Sequence, residues 1–310
     1  MLKYLGKRLI ISVVTLLVIL LVLFLLLQFM PGSPFNDEKL SPEQIAQLKE
    51  KYGLDQPIIV QFFRYIGNVL HGDLGVSYSL SANTPITDLL VNRFPVTVKM
   101  GLASMVTGTF FGLVLGFLTA FFKNKVLSFI YNLLTLLGIA VPSYLFAMCF
   151  SYFLGYKADV LPLLYDFRSP TVSTIMPVAA MSFGVMAVIA RFAKAEASEV
   201  MKSDYVLFAK CQGLSNGTVI MKYVLKNSLM PVITVVASLL VGLLTGSLVI
   251  EQMFSVPGVG GLLTNAINVN DYSVVIALSF IYSALYIIVM LILDILYCII
   301  DPRVRLGGQK

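Results

Sequence analysis

The chain has 310 residues, of which 58% are hydrophobic and only 12% are charged, and its mean hydropathy is +0.89. Soluble domains carry about 25% charged residues, so this composition excludes an ordinary soluble protein. A net charge of +6 would indicate nucleic-acid binding in a soluble chain, but here we attribute it to membrane topology and expect no nucleic-acid partner.

Apolar runs of about 20 residues or more predict six transmembrane helices. The first run follows three basic residues, but it is longer than a signal-peptide core and lacks a cleavage pattern, so we expect it to be retained. The sequence therefore predicts an all-α polytopic membrane protein. The six predicted spans are 9–29, 97–122, 128–155, 172–193, 231–253 and 273–300.

The distribution of basic residues predicts the orientation. Most of the 22 basic residues lie at the two ends of the chain, in the turn at 123–127 and in the segment 194–230. The positive-inside rule places these parts, including both termini, in the cytoplasm. We therefore divide the chain into a first span with an extracytoplasmic loop (1–95), a core of five spans (96–302) and a cytoplasmic tail (303–310).

Two helices are predicted in the outward loop. Ser41 and Gln44 form a capping-box pattern ahead of a helix that continues to Tyr52, and Gly53 is expected to end it. The stretch 56–70 has one apolar face, which is typical of a helix that lies on a membrane surface.

The predicted spans contain small residues and few charges. Gly108, Gly112 and Gly116 share one helix face, which favours close packing either within one subunit or between subunits. Glu251 and Asp294 lie near span ends, so a proton-driven mechanism is disfavoured, although a sodium site built from carbonyls and hydroxyls stays open. The chain has no GxxxxGK[ST] phosphate loop, so a partner ATPase is the simplest source of energy.

The cytoplasmic segment is predicted to form two helices around a glycine. The first helix covers 196–211, Gly213 interrupts the pattern, and Ser215 can cap a second helix over about 216–228. Pro231 is expected to end this pattern before the next span. The segment is either a docking element for a soluble partner or a basic loop that only sets topology.

This segment resembles the EAA loop of ABC importer permeases, whose pattern is Glu-Ala-Ala, three residues, Gly, nine residues, Ile-x-Leu-Pro. With Gly213 as the glycine, the first three positions are Leu207, Phe208 and Ala209, of which the last alone matches, and the loop closes at Met230-Pro231. Other stretches are similar to the first permease subunit of oligopeptide importers, within the peptide and nickel branch. They are Phe29-Met30-Pro31-Gly32-Ser33-Pro34, Tyr52-Gly53-Leu54-Asp55-Gln56-Pro57, Gly72-Asp73-Leu74-Gly75, Ser77, Pro95, the stretch from Glu251 to Gly260, Asp271-Tyr272 and Asp301-Pro302-Arg303.

The resemblance implies the architecture of a type I ABC importer permease in a bacterial plasma membrane. It implies a pore-forming subunit that is not an enzyme, a second homologous permease subunit in a heterodimer, two ATPase subunits and an extracytoplasmic substrate-binding lipoprotein. It also implies that ATP and Mg²⁺ bind to the partner subunits and that this chain holds no cofactor or metal. The implied contacts to the ATPase are Tyr205, Leu207, Phe208, Ala209, Gly213, Leu214 and Pro231, and the implied outer turn or gate contains Glu251, Pro257, Gly258 and Gly260.

The resemblance favours oligopeptides as the transported substrate. Dipeptides, nickel and metal chelates are alternatives, because importers of the same architecture carry them. Outside the family, the alternatives are an ion-coupled secondary transporter and a membrane scaffold or receptor anchor. Neighbouring genes for a second permease, ATPases and a lipoprotein would favour the importer.

Overall fold

The computed structural model describes residues 2–29, 41–244 and 247–300. Regular structure in these residues is helical, apart from one antiparallel bridge between Val76 and Pro85. The helices are α1 (Leu2–Gln28), α2 (Pro42–Tyr52), α3 (Ile58–Leu70), α4 (Ile86–Val91), α5 (Phe94–Phe121), α6 (Lys125–Ala140), α7 (Ser143–Phe150), α8 (Pro170–Ser173), α9 (Ile175–Val200), α10 (Asp204–Cys211), α11 (Asn216–Val219), α12 (Lys226–Leu244), α13 (Leu248–Met253), α14 (Val259–Asn268) and α15 (Tyr272–Ile300). Two π-helical stretches, Ser151–Lys157 and Ile220–Leu225, continue α7 and α11.

The chain divides into two compact units. Unit 1 combines Met1–Pro95 with Gly258–Lys310, and unit 2 is Val96–Pro257. The five spans that the sequence places in one core are thus shared between the two units.

Unit 1 is built on the apolar contact between α1 and α15. α3 and α4 add their buried faces to the same core, which includes Phe24, Phe62 and Ile86. The predicted capping box is confirmed, because the Ser41 hydroxyl accepts from the Gln44 N–H while the Gln44 side chain accepts from the Ser41 N–H. Gly53 ends α2 with φ +68, which is the left-handed conformation expected of a C-terminal glycine.

Unit 2 is built around α9, which packs against α6, α7 and α12. It also packs closely against α5 through the predicted glycine face. A Cβ added at Gly108 would lie 2.7 Å from the Ser182 carbonyl oxygen, and one added at Gly116 would lie 2.6 Å from the Ala190 carbonyl oxygen. Of the two roles left open by the sequence, these glycines therefore serve packing within the subunit.

Within the described residues, five helices are long and apolar enough to cross a membrane, and a bent pair makes six if it counts as one span. The bent pair corresponds to the predicted span 128–155. The prediction of one unbroken helix over this span is wrong. The helix stops at Ala140 and resumes at Ser143, with a bend of 108° between the two parts. The cause is Pro142, which disfavours the helical conformation at Val141, and that residue is extended at φ −94, ψ 124.

Two predicted boundaries in and next to the segment 194–230 are also wrong. The expected helix over 196–211 is interrupted, since α9 ends at Val200 and Ser203 has an extended backbone at the start of α10. Pro231 does not end a helical pattern, because it lies inside α12. Membrane helices tolerate such a proline when neighbouring groups satisfy the freed carbonyl. The predicted span 231–253 likewise separates into α12 and α13, with residues 245–246 outside the described part.

Candidate functional site

The segment 194–230, which the sequence predicts to be cytoplasmic, presents α10 with one buried face and one exposed face. Val206 and Ala209 are buried in an apolar cluster with Ala197 of α9, Val219 of α11 and Val224 of the following π-helical stretch. This face anchors α10 to the rest of unit 2.

The opposite face of α10 is apolar but exposed. Leu207 and Phe208 are 62% and 64% exposed, and Tyr205 on the same helix is also exposed. Lys202 precedes this helix and Lys210 lies in its last turn, both exposed, which is typical of a segment in water rather than in lipid. Exposed apolar side chains in such a position are characteristic of a protein–protein contact. We refer to Tyr205, Leu207 and Phe208 as the α10 surface.

Gly213 closes α10 with a Schellman motif. Its φ is +77, its N–H donates to the Lys210 carbonyl at 3.0 Å, and the Leu214 N–H donates to the Ala209 carbonyl at 3.4 Å. The positive φ favours glycine at this position, and the space beside it is open, because a Cβ at Gly213 would meet no described atom within 4 Å. The Ser215 hydroxyl then accepts from the Thr218 N–H, which confirms the predicted cap of the second helix.

The structure does not bring all the predicted contact residues to one surface. Gly213 is exposed next to α10, whereas Leu214 is partly buried against the anchoring cluster. Ala209 faces the interior of its own chain, and Pro231 is half-buried within α12. The accessible part of the predicted set is therefore the α10 surface together with Gly213.

The second predicted site, around the outer turn, begins with a buried carboxylate. Glu251 lies in α13 with 0% exposure, and the Thr97 hydroxyl donates a hydrogen bond to its Oε1 at 2.8 Å. The Val256 N–H donates to the Glu251 carbonyl at 2.8 Å, and the turn passes through Ser255 at φ +52.

The glycines of this turn do not make its tight bend. Pro257 directly precedes Gly258, which is extended at φ −103, ψ 178, and Gly260 lies inside α14. The positive φ belongs to Ser255, whose N–H donates to the Gln252 carbonyl.

Sequence reasoning missed a structural role for Asp271. This carboxylate is fully buried at the start of α15 and accepts hydrogen bonds from the loop that follows α3. The donors are the Ser77 hydroxyl and the N–H groups of Tyr78, Ser79 and Leu80. The available signal was an aspartate directly before an apolar helical run, which is a common N-cap pattern.

The loop around Asp271 also contains a buried phenol. Burial, more than any other effect, raises the pKa of Tyr78, and the Asp271 charge raises it further while a hydrogen bond with Ser273 lowers it. Among the described residues, no group of three or more His, Cys, Asp or Glu side chains is placed to hold a metal ion.

Comparison with known proteins identifies two matching stretches. Residues 112–306 match the family of binding-protein-dependent transport system inner membrane components, and residues 1–101 match the N-terminal membrane component of such systems.

Individual relatives match over their whole length. The chain is 39% identical over 306 residues to the dipeptide transport system permease protein DppB of Lactococcus lactis subsp. cremoris, covering 99% of this chain and 100% of the relative. It is 36% identical over 310 residues to the oligopeptide transport system permease protein OppB of Haemophilus influenzae, covering 98% and 100%. With its several apolar helices, this multi-pass membrane protein belongs to the family of binding-protein-dependent transport system inner membrane components.

Proposed function

We propose that this chain is the pore-forming permease subunit of an ATP-driven peptide importer in a bacterial plasma membrane, with both termini in the cytoplasm. The observation that carries the proposal is the α10 surface, which exposes two large apolar side chains beside basic residues in a chain of this family. Such a surface fits a groove on a soluble partner.

The proposed assembly contains a second, homologous permease subunit, two ATPase subunits and an extracytoplasmic substrate-binding lipoprotein. ATP and Mg²⁺ would bind to the ATPase subunits, which hydrolyse ATP, and this chain would supply the membrane path.

The anchoring of α10 provides a route for coupling. Its buried residues Val206 and Ala209 contact a cluster that also includes side chains of α5 and α9, among them Phe117 and Ala197. Movement of the ATPase against the α10 surface would therefore be transmitted to two membrane helices of unit 2. Packed interiors transmit such displacement because they compress little.

The outer turn at Glu251–Gly260 is proposed as a gate or as a receiver of substrate, with a purely structural turn as the alternative. The buried hydrogen bond between Glu251 and Thr97 supports a fixed position for its first part. Crosslinking of a cysteine at Pro257 to the binding protein would separate the two roles.

The transported substrate is proposed to be a short peptide, because relatives named for dipeptide and for oligopeptide transport align at similar identity. A strain that lacks this chain should lose uptake of labelled dipeptides or pentapeptides, and the complemented strain should regain it. Uptake of labelled nickel or a nickel chelate should be unchanged. Loss of metal uptake with normal peptide uptake would instead support the metal alternative, and transport by the chain without an ATPase would support an ion-coupled transporter.

Replacing Phe208 by alanine should weaken association with the ATPase subunits about tenfold or more, because a large apolar side chain at an interface contributes about 1.5–3 kcal/mol. The folded permease should be unaffected, since this side chain is 64% exposed within the chain. The measurements are ATPase retention on the purified permease and peptide-stimulated ATP hydrolysis.

Phe167→Ala is the matched control, because Phe167 is 78% exposed in a loop predicted on the opposite side of the membrane. Gly213→Trp should also impair coupling by placing an indole beside the α10 surface, whereas Gly213→Asn should be tolerated because asparagine adopts the left-handed conformation. Normal transport by both Phe208→Ala and Gly213→Trp would contradict the proposed contact.

A further inference from the structure

Unit 1 contains a cavity of about 290 Å³ that the proposed transport function does not use. It lies beside the last turns of α1 and is bordered by α2, α3, the loop after α3 and the first turns of α15. Its lining is divided between apolar side chains, represented by Phe24, Leu27 and Ile58, and polar or cationic ones.

The polar part of the cavity that the structure describes is cationic. Lys49 and Arg64 line it, and no aspartate or glutamate is among the described residues of the lining. The Arg64 guanidinium lies directly against Gly53, where a Cβ would collide with it. The left-handed glycine that ends α2 therefore also leaves room for this cation. Such a pair of basic groups favours an anionic ligand, and guanidinium binds phosphate oxygens with two parallel hydrogen bonds.

A buried phenol in the same lining has no hydrogen-bond partner among the described residues. It is the Tyr65 hydroxyl. Burial raises the pKa of Tyr65 above its usual range, so the phenol stays protonated and can donate a hydrogen bond. Buried hydroxyls are nearly always paired, so this one points to a ligand with an acceptor oxygen.

Exposed apolar side chains surround the cavity and indicate that its ligand comes from the lipid bilayer. The face of α3 that turns away from the core exposes Ile59, Phe63 and Leu70, the last two at 66% and 80%. Residues near the end of α1, including Leu26 and Phe29, are exposed as well. In a multi-pass membrane protein such an apolar rim lies against lipid.

We propose that this cavity binds the phosphate headgroup of an anionic phospholipid, with Arg64, Lys49 and the Tyr65 hydroxyl as donors and with the start of an acyl chain against Phe24 and Leu27. The assignment combines a cationic interior, an unpartnered donor and an apolar border that continues onto a lipid-facing helix. It goes beyond peptide transport and requires only the membrane location of the chain, so its test has a binding readout that is independent of uptake.

The test measures binding of dioctanoyl phosphatidylglycerol to the purified, detergent-solubilised transporter by native mass spectrometry. Dioctanoyl phosphatidylcholine is the neutral comparison, and glycerol 1-phosphate and a pentapeptide are competitors. We expect phosphatidylglycerol to bind at least about tenfold more tightly than phosphatidylcholine, because the neutral lipid brings a cation to the basic groups. Neither competitor should displace it at equal concentration, since they lack the acyl chain.

The Lys49→Gln/Arg64→Gln double variant should lose this preference, and Arg64→Lys should keep most of it. Arg93→Gln is the matched control, because Arg93 is a half-buried basic residue between α4 and α5 that does not line the cavity. Tyr65→Phe should weaken phosphatidylglycerol binding severalfold without lowering thermal stability, and it provides the readout if the double variant fails to assemble. Equal binding of the two lipids, equal loss in Arg93→Gln, or displacement by either competitor would overturn the proposal.

Discussion

Gly112→Ala should destabilise unit 2 by about 1–3 kcal/mol, because a single added methyl group overpacks the contact between α5 and α9. Its Cβ would lie 2.8 Å from the Met186 carbonyl oxygen and 2.8 Å from the Ile189 Cβ. Neither atom can move without shifting the α9 backbone. The same substitution at Gly108, Gly112 and Gly116 together should prevent recovery of a folded permease.

Gly242→Ala is the matched control for this prediction. Gly242 lies in α12, another apolar helix, and a Cβ there would meet no atom of the described residues within 4 Å. Because alanine has the higher helix propensity, this variant should be at least as stable as the parent. Thermal unfolding of the purified protein and its recovery from the membrane provide the measurements. A Gly112→Ala protein that unfolds at the parental temperature would show that α5 and α9 do not pack this closely.

Asp271→Ala should destabilise unit 1 by about 3–5 kcal/mol, because it leaves several buried donors unpaired and each costs about 1–3 kcal/mol. The substitution leaves the Ser77 hydroxyl and three consecutive backbone N–H groups without their acceptor. It also removes the side chain that accepts from the Val274 N–H in the first turn of α15. The loop should then become accessible to proteases at lower temperature than the rest of the chain.

Asp271→Asn tests whether charge or shape dominates, since the amide keeps one acceptor oxygen but presents an NH₂ group to a site full of donors. Asp73→Ala is the control, because Asp73 accepts from the Gly75 N–H in an exposed part of the same loop. Its effect should stay within about 0.5 kcal/mol. Limited proteolysis with mapping of cleavage sites, together with thermal unfolding, distinguishes the variants. Parental stability of Asp271→Ala would show that water replaces the carboxylate without loss.

Features that depend on neighbouring residues were predictable from the sequence. The capping box at Ser41, the left-handed glycines Gly53 and Gly213 and the cap at Ser215 each need only a few adjacent residues, and all are confirmed. The glycine face of α5 was also visible, because its spacing of four residues fixes one side of a helix. The identity of the helix that packs against this face, α9, could not be predicted from the sequence.

Two prolines show why other features were not predictable. Pro142 interrupts a helix with a bend of 108°, whereas Pro231 lies within α12 and the helix continues. The residue type removes a backbone donor in both places, but the packing around each helix decides whether the chain bends there. Sequence alone therefore predicted a continuous third span and a break at Pro231, and both predictions were wrong.

The orientation of α10 needed tertiary contacts as well. Phe208 and Ala209 are adjacent, yet one is exposed and the other is buried in the cluster with Val219 and Val224. The family pattern marks both positions alike, while the structure assigns anchoring to one and an accessible surface to the other. The Asp271 contacts could not be predicted from local sequence either, because Asp271 and Ser77 are separated by 194 positions along the chain.

That separation has a consequence for biosynthesis. At a translation rate of about 5–20 residues per second, the ribosome needs roughly 10–40 s to add the residues between Ser77 and Asp271. During this interval the loop that will surround the carboxylate has been made but lacks its acceptor, so its final conformation must wait for the last membrane helix. A nascent chain arrested before Asp271 should therefore keep this loop open to proteases, whereas the finished chain should protect it.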